Sequence, residues 1–182
     1  MNKALIGSFL FGSIFLSACS EHSEFQNKPI HEIIDLNVAV VGRFPTVTTE
    51  PKVEKISLSD LKGDLKKYDA VFIDKKNLQA ASKKEYAAVY KKAGVPFFFI
   101  GSKKSYEPFV NPDMSYKDEI ETGSNSYITA VYYRKGKFEK SWEYSVHNPK
   151  PNQQERESIF KEIYKTILTV DHPASDGTSS SS

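Results

Sequence analysis

The chain has 182 residues, 39% hydrophobic and 26% charged, which suits one folded domain with appendages and excludes a wholly disordered or fibrous chain. Its net charge of +2 excludes general nucleic-acid binding, which shows as a strong basic excess. Cys19 is the only cysteine, so no internal disulfide is available and the fold must rest on its core.

Met1–Lys3 is a short positive segment, and Ala4–Leu16 is an uncharged run of 13 apolar or small residues. That run is too short for an ordinary membrane span of about 20 residues, but it suits the apolar region of a signal peptide. Leu16-Ser17-Ala18-Cys19 follows, and it resembles the lipobox of bacterial lipoproteins. The resemblance implies export, cleavage before Cys19 and diacylglyceryl and fatty-acyl groups on that cysteine, with residues 1–18 removed. Two or three acyl chains, at about 0.8 kcal/mol per buried CH₂, anchor far more firmly than one. Removing residues 1–18 takes away only Lys3 among the charges, leaving 24 basic against 23 acidic residues.

Residues 19–35 read as a polar tether holding the domain off the bilayer. It contains His22 and His31, whose wide spacing makes a poor metal site. Residues 36–170 read as one α/β domain. Leu36–Val41 is a buried strand ending at Gly42, and Val53–Leu58 a weaker one. Ser59–Lys67 reads as a short helix capped by Ser57 or Ser59, and Asp69–Asp74 as a further buried strand. Ser82–Ala93 reads as a helix with a Ser82/Glu85 capping box and Gly94 just beyond its end. Val95–Ile100 returns as a strand, completing a right-handed βαβ unit.

Tyr127–Arg134 and Lys137–Val146 alternate around Gly136 as an antiparallel hairpin. Asn152 and Glu155 open a long helix striped by Ile159, Phe160, Ile163, Ile167 and Val170. Residues 171–182 are Ser-rich and read as disordered. The expected fold is therefore a small three-layer α/β domain with a mostly parallel central sheet, an antiparallel edge hairpin and a docked C-terminal helix.

Familiar chemistry finds little support. The segment after the first strand, Gly42-Arg43-Phe44-Pro45, lacks the glycines of a dinucleotide site and the acidic pair of a phosphoacceptor domain. No cysteine remains in the folded region for thioredoxin-like or thiol-nucleophile chemistry. Gly123-Ser124-Asn125-Ser126-Tyr127 lacks the closing glycine of a hydrolase elbow, and His147 before Asn148-Pro149 suits a surface turn. What the strand ends offer is an anion-binding set: Arg43, Lys75, Lys76, Ser102 and Lys103. No cofactor and no metal site is expected.

Between Lys62 and Lys104 eleven lysines face four acids, a local +7, whereas Ser105–Ser126 carries five acids against one lysine, or −4. A shared lysine face would attract anionic lipid or an anionic wall polymer. The expected function is a lipid-anchored extracytoplasmic module that binds an unknown envelope protein or such a ligand at the membrane. The alternative is an anchored enzyme acting on wall or small anionic substrates. The bias of 22 Lys to 3 Arg fits an AT-rich genome and a Gram-positive cell membrane, while Ser20 leaves an outer membrane open.

Overall fold

Two runs too apolar to face water on either side, Ala70–Ile73 (AVFI) and Phe97–Ile100 (FFFI), lie at the middle of the sheet and are buried throughout. A computed structural model of the chain describes residues 30–121 and 125–171; Cys19, the segment before it and the Ser-rich end lie outside the described residues. The strands are β1 (Asn37–Val41), β2 (Lys52–Ile56), β3 (Ala70–Ile73), β4 (Phe97–Ile100), β5 (Ser126–Arg134) and β6 (Lys137–Ser145). They form one sheet in the order β2-β1-β3-β4-β5-β6. The first four are parallel; β5 and β6 run antiparallel at one side. This is the mixed α/β architecture expected, with the hairpin at the sheet's edge.

The helices are α1 (Ile30–Asp35), α2 (Leu78–Ala81), α3 (Lys84–Lys92), α4 (Glu107–Val110) and α5 (Gln153–Asp171). Alternate residues of the strands build two cores. Val38, Val40, Phe72 and Phe98 pack under α5 with Phe160, Ile163 and Ile167, and Ile33 of α1 joins them. On the other face Val71, Ile73, Phe97 and Phe99 pack against Leu78, Tyr90 and Phe109. Phe109 lies flat on Phe99, with centroids 3.6 Å apart. Helix α4, which presents Phe109, has no periodicity long enough to be read from sequence.

Three local expectations differ from the structure. The last six residues assigned to the tether form α1, because Ile33 has a core to enter. Ser59–Lys67 shortens to a 3-10 turn over Ser59–Lys62, ending at Gly63 in extended conformation. It is pinned from the front, where the Ser57 N–H donates to the Asp60 carboxylate at 2.7 Å.

The Ser82/Glu85 capping box does not form. Ser82 closes α2 instead, its hydroxyl donating to Gln79 O and accepting the Tyr116 N–H, so α3 starts at Lys84. Elsewhere the signals hold. Gly94 has φ 72° after α3, and Asn152 and Glu155 cap α5 reciprocally, at 2.9 and 3.2 Å. Lys135 and Gly136, both at positive φ, turn the hairpin.

Candidate binding clefts

At the carboxyl ends of the parallel strands, the expected anion set is only partly assembled. Gly42 leaves β1 at φ 96°, a conformation suited to glycine, and a Cβ there would lie 2.4 Å from Asp74 Cγ. The Asp74 carboxylate fills that space: it accepts the Arg43 N–H at 3.0 Å and the Asn77 side-chain amide at 2.6 Å. Lys75 lays its stem against Gly101, where a Cβ would come within 3.0 Å.

Ser102 is fully buried, and its hydroxyl is engaged with the backbone of Lys104 as both donor and acceptor. Lys103 pairs with Glu121 at 3.9 Å, and Lys76 is exposed. Arg43 and Lys75 thus reach the same end of the sheet, but a carboxylate already takes the backbone donor an anion would want.

The lysine pairs also separate. Helix α3 leaves the carboxyl end of β3 and returns to the amino end of β4, so Lys83 and Lys84 lie at one end and Lys91 and Lys92 at the other. Lys75, Lys76, Lys103 and Lys104 join the first group by following β3 and β4; Lys66 and Lys67 precede β3 and join the second. Chain order therefore does not translate into one basic face.

Two clefts are better formed. One, of about 600 Å³, lies between the start of α3 and the loop after α4, lined by Gln79, Lys83, Glu85, Asp113, Met114 and Asp118. Its charges are mixed, and Glu85 already pairs with Lys62 at 3.2 Å. Among the described residues no group of three or more His, Cys, Asp or Glu converges as a metal site. His147 is 97% exposed, with Nδ1 3.6 Å from Glu155, and its backbone N–H caps the same carboxylate. Of the Gly123–Tyr127 string, Gly123 and Ser124 lie outside the described residues, while Ser126 is buried in β5.

The other cleft, of about 340 Å³, opens between the hairpin and the last turns of α5. Tyr132, Arg134, Lys140, Trp142, Lys165 and Thr169 line it, with Glu139 as its only acid. Residues two apart on a strand share a face, so Tyr132 lies beside Arg134, and Lys140 beside Trp142. Arg134 sits 5.7 Å from the Tyr132 ring, and Lys140 Nζ 5.7 Å from the Trp142 ring. Trp142 stacks its inner side toward Phe98, at 6.5 Å and 17°.

Arg134 buries its Nε with no acceptor among the described residues. Among the described residues Arg134, Lys140 and Lys165 make no ion pair. An unpaired guanidinium offers a planar fork of donors suited to phosphate or carboxylate. Burial pushes the Tyr144 hydroxyl, bonded to Thr166 of this cleft, up to about 12.

Sequence reasoning missed this site. Its signal was present in the Tyr132/Arg134 and Lys140/Trp142 spacings, but only the docking of α5 brings Lys165 to them. Comparison with protein-family models, curated proteins and solved structures finds no match to this chain.

Proposed function

We propose that the protein is a lipid-anchored extracytoplasmic module that binds an anionic ligand at the cell envelope. The anchoring half of this reading rests on Leu16–Cys19 behind a short apolar run. The binding half is carried by one observation: the unpaired Arg134 in a cleft shared with Lys140, Lys165, Tyr132 and Trp142. Cations over aromatic faces suit recognition of a charged group, and a cleft of this size holds a headgroup or a short segment of polymer.

Labelling cells with a radioactive fatty acid tests the anchor. The wild-type protein takes up label and a Cys19→Ala variant does not. Equal label in both would refute it.

A further inference from the structure

The Arg134 cleft lies at a particular end of the molecule. Strand β5 runs antiparallel to β4, pairing Phe97 with Val131, so Arg134 projects past the amino ends of the parallel strands. Helix α1 delivers the chain into β1 at that same end. Its Ile33 packs into the core under α5, the face on which the cleft opens. In the sheet order β1-β3-β4-β5, three strand spacings separate the chain's entry from the cleft, roughly 14 Å.

That end gathers many cations, with Asp35 and Asp69 among them. The hairpin turn places Lys135 and Lys137 there beside Arg134, and Lys66, Lys67, Lys91 and Lys92 flank the starts of β3 and β4. Lys67 is paired with Glu54, and Lys52 with Asp35. Ten residues, 20 through 29, separate Cys19 from α1, a reach of at most roughly 35 Å even when extended. A leash of that length keeps the domain near the surface that holds it, and its entry point and the neighbouring cations both favour turning this end toward that surface.

We infer that the amino-end edge of the sheet faces the bilayer and that the Arg134 cleft takes the phosphate of an anionic phospholipid headgroup. This rests on the anchored reading above. Arg134 and Lys165 would hold the phosphate oxygens, with Trp142 and Tyr132 flanking the glycerol portion. Of the surrounding lysines, Lys135 and Lys137 on the hairpin turn add attraction of about 1 kcal/mol each near a charged surface.

Trp142 is the only tryptophan in the chain, so its emission reports on the cleft alone. The test uses the mature lipidated protein reconstituted into phosphatidylcholine vesicles, with and without phosphatidylglycerol. Trp142 emission should change with phosphatidylglycerol content. Arg134→Gln and Lys165→Gln should each weaken that response about tenfold, as expected for loss of a charge-assisted hydrogen bond. Lys165 is exposed on α5, so its substitution leaves the fold intact. Lys84→Gln, at the opposite end, should respond as wild type.

Equal emission in both vesicles, or an unchanged response in both cleft variants, would overturn the inference. So would a response to dissolved inorganic phosphate without any to phosphatidylglycerol, since the source would then not be lipid. Flotation with the vesicles is read separately: its loss would strike the anchor, whereas flotation without an emission change strikes the cleft.

Discussion

The Tyr144 hydroxyl donates a 2.9 Å hydrogen bond to Thr166 Oγ1, joining β6 to α5 at a residue that lines the Arg134 cleft. Tyr144→Phe removes the bond while keeping the ring, and should cost about 1 kcal/mol in urea unfolding. The same residue predicts an alkaline limb. Burial raises its folded pKa to about 12, above the unfolded value of about 10. The folded state then holds the proton longer, so its contribution is complete below about pH 10 and lost as pH rises through 12. Tyr144→Phe should flatten that limb in part, because burial also raises Tyr90 and Tyr164.

Gly42 should tolerate no side chain. Gly42→Ala adds a Cβ where Asp74 Cγ lies 2.4 Å away and places alanine at φ 96°. A cost of about 2 kcal/mol or more is expected from backbone strain and displacement of the carboxylate together. Urea midpoints of the variant and wild type measure it.

Acid should weaken the start of α5. Burial alone would raise the Glu155 carboxyl, but hydrogen bonds from the Asn152 backbone, the Asn148 side chain and the His147 backbone together hold it below its ordinary value. A depressed folded pKa contributes stability that is present above the unfolded value of about 4.3 and lost as pH falls through the folded one. The difference in melting temperature between wild type and Glu155→Gln should therefore be full near pH 7 and close on acidification below pH ~4. Asn152→Ala, which removes the reciprocal cap, should cost about 1 kcal/mol at neutral pH.

Helix α1 belongs to the folded unit. Ile33 is 8% exposed and Ile34 42%, although both are isoleucines on one short helix. Ile33→Ala should cost about 2 kcal/mol in urea unfolding and Ile34→Ala close to nothing. Equal effects would return this segment to the tether.

The parallel strands were legible because β1, β3 and β4 are short, apolar and buried on both faces, a pattern that depends little on tertiary detail. The α5 cap was legible because Asn152 and Glu155 satisfy each other locally. Helix α1 was not, since six residues show less than two turns of periodicity and only the core beneath Ile33 gives them an amphipathic sense. The Ser82 box misled because the Tyr116 N–H, 34 positions away, takes the serine hydroxyl that the cap needed.

The anion set at the strand ends rests on topology alone. It overlooked Asp74, whose carboxylate takes the Arg43 N–H that an anion would bind. The Arg134 cleft needed contact between residues of β5, β6 and α5, information that no local window holds.

The mass of the N-terminal peptide of the mature protein, isolated from membranes, tests whether Cys19 carries the lipid anchor. The expected peptide begins at Cys19, and its mass exceeds the unmodified sequence by a diacylglyceryl group, with or without a further acyl chain. A peptide that begins at Met1, or one that begins at or beyond Cys19 without added lipid, would contradict it.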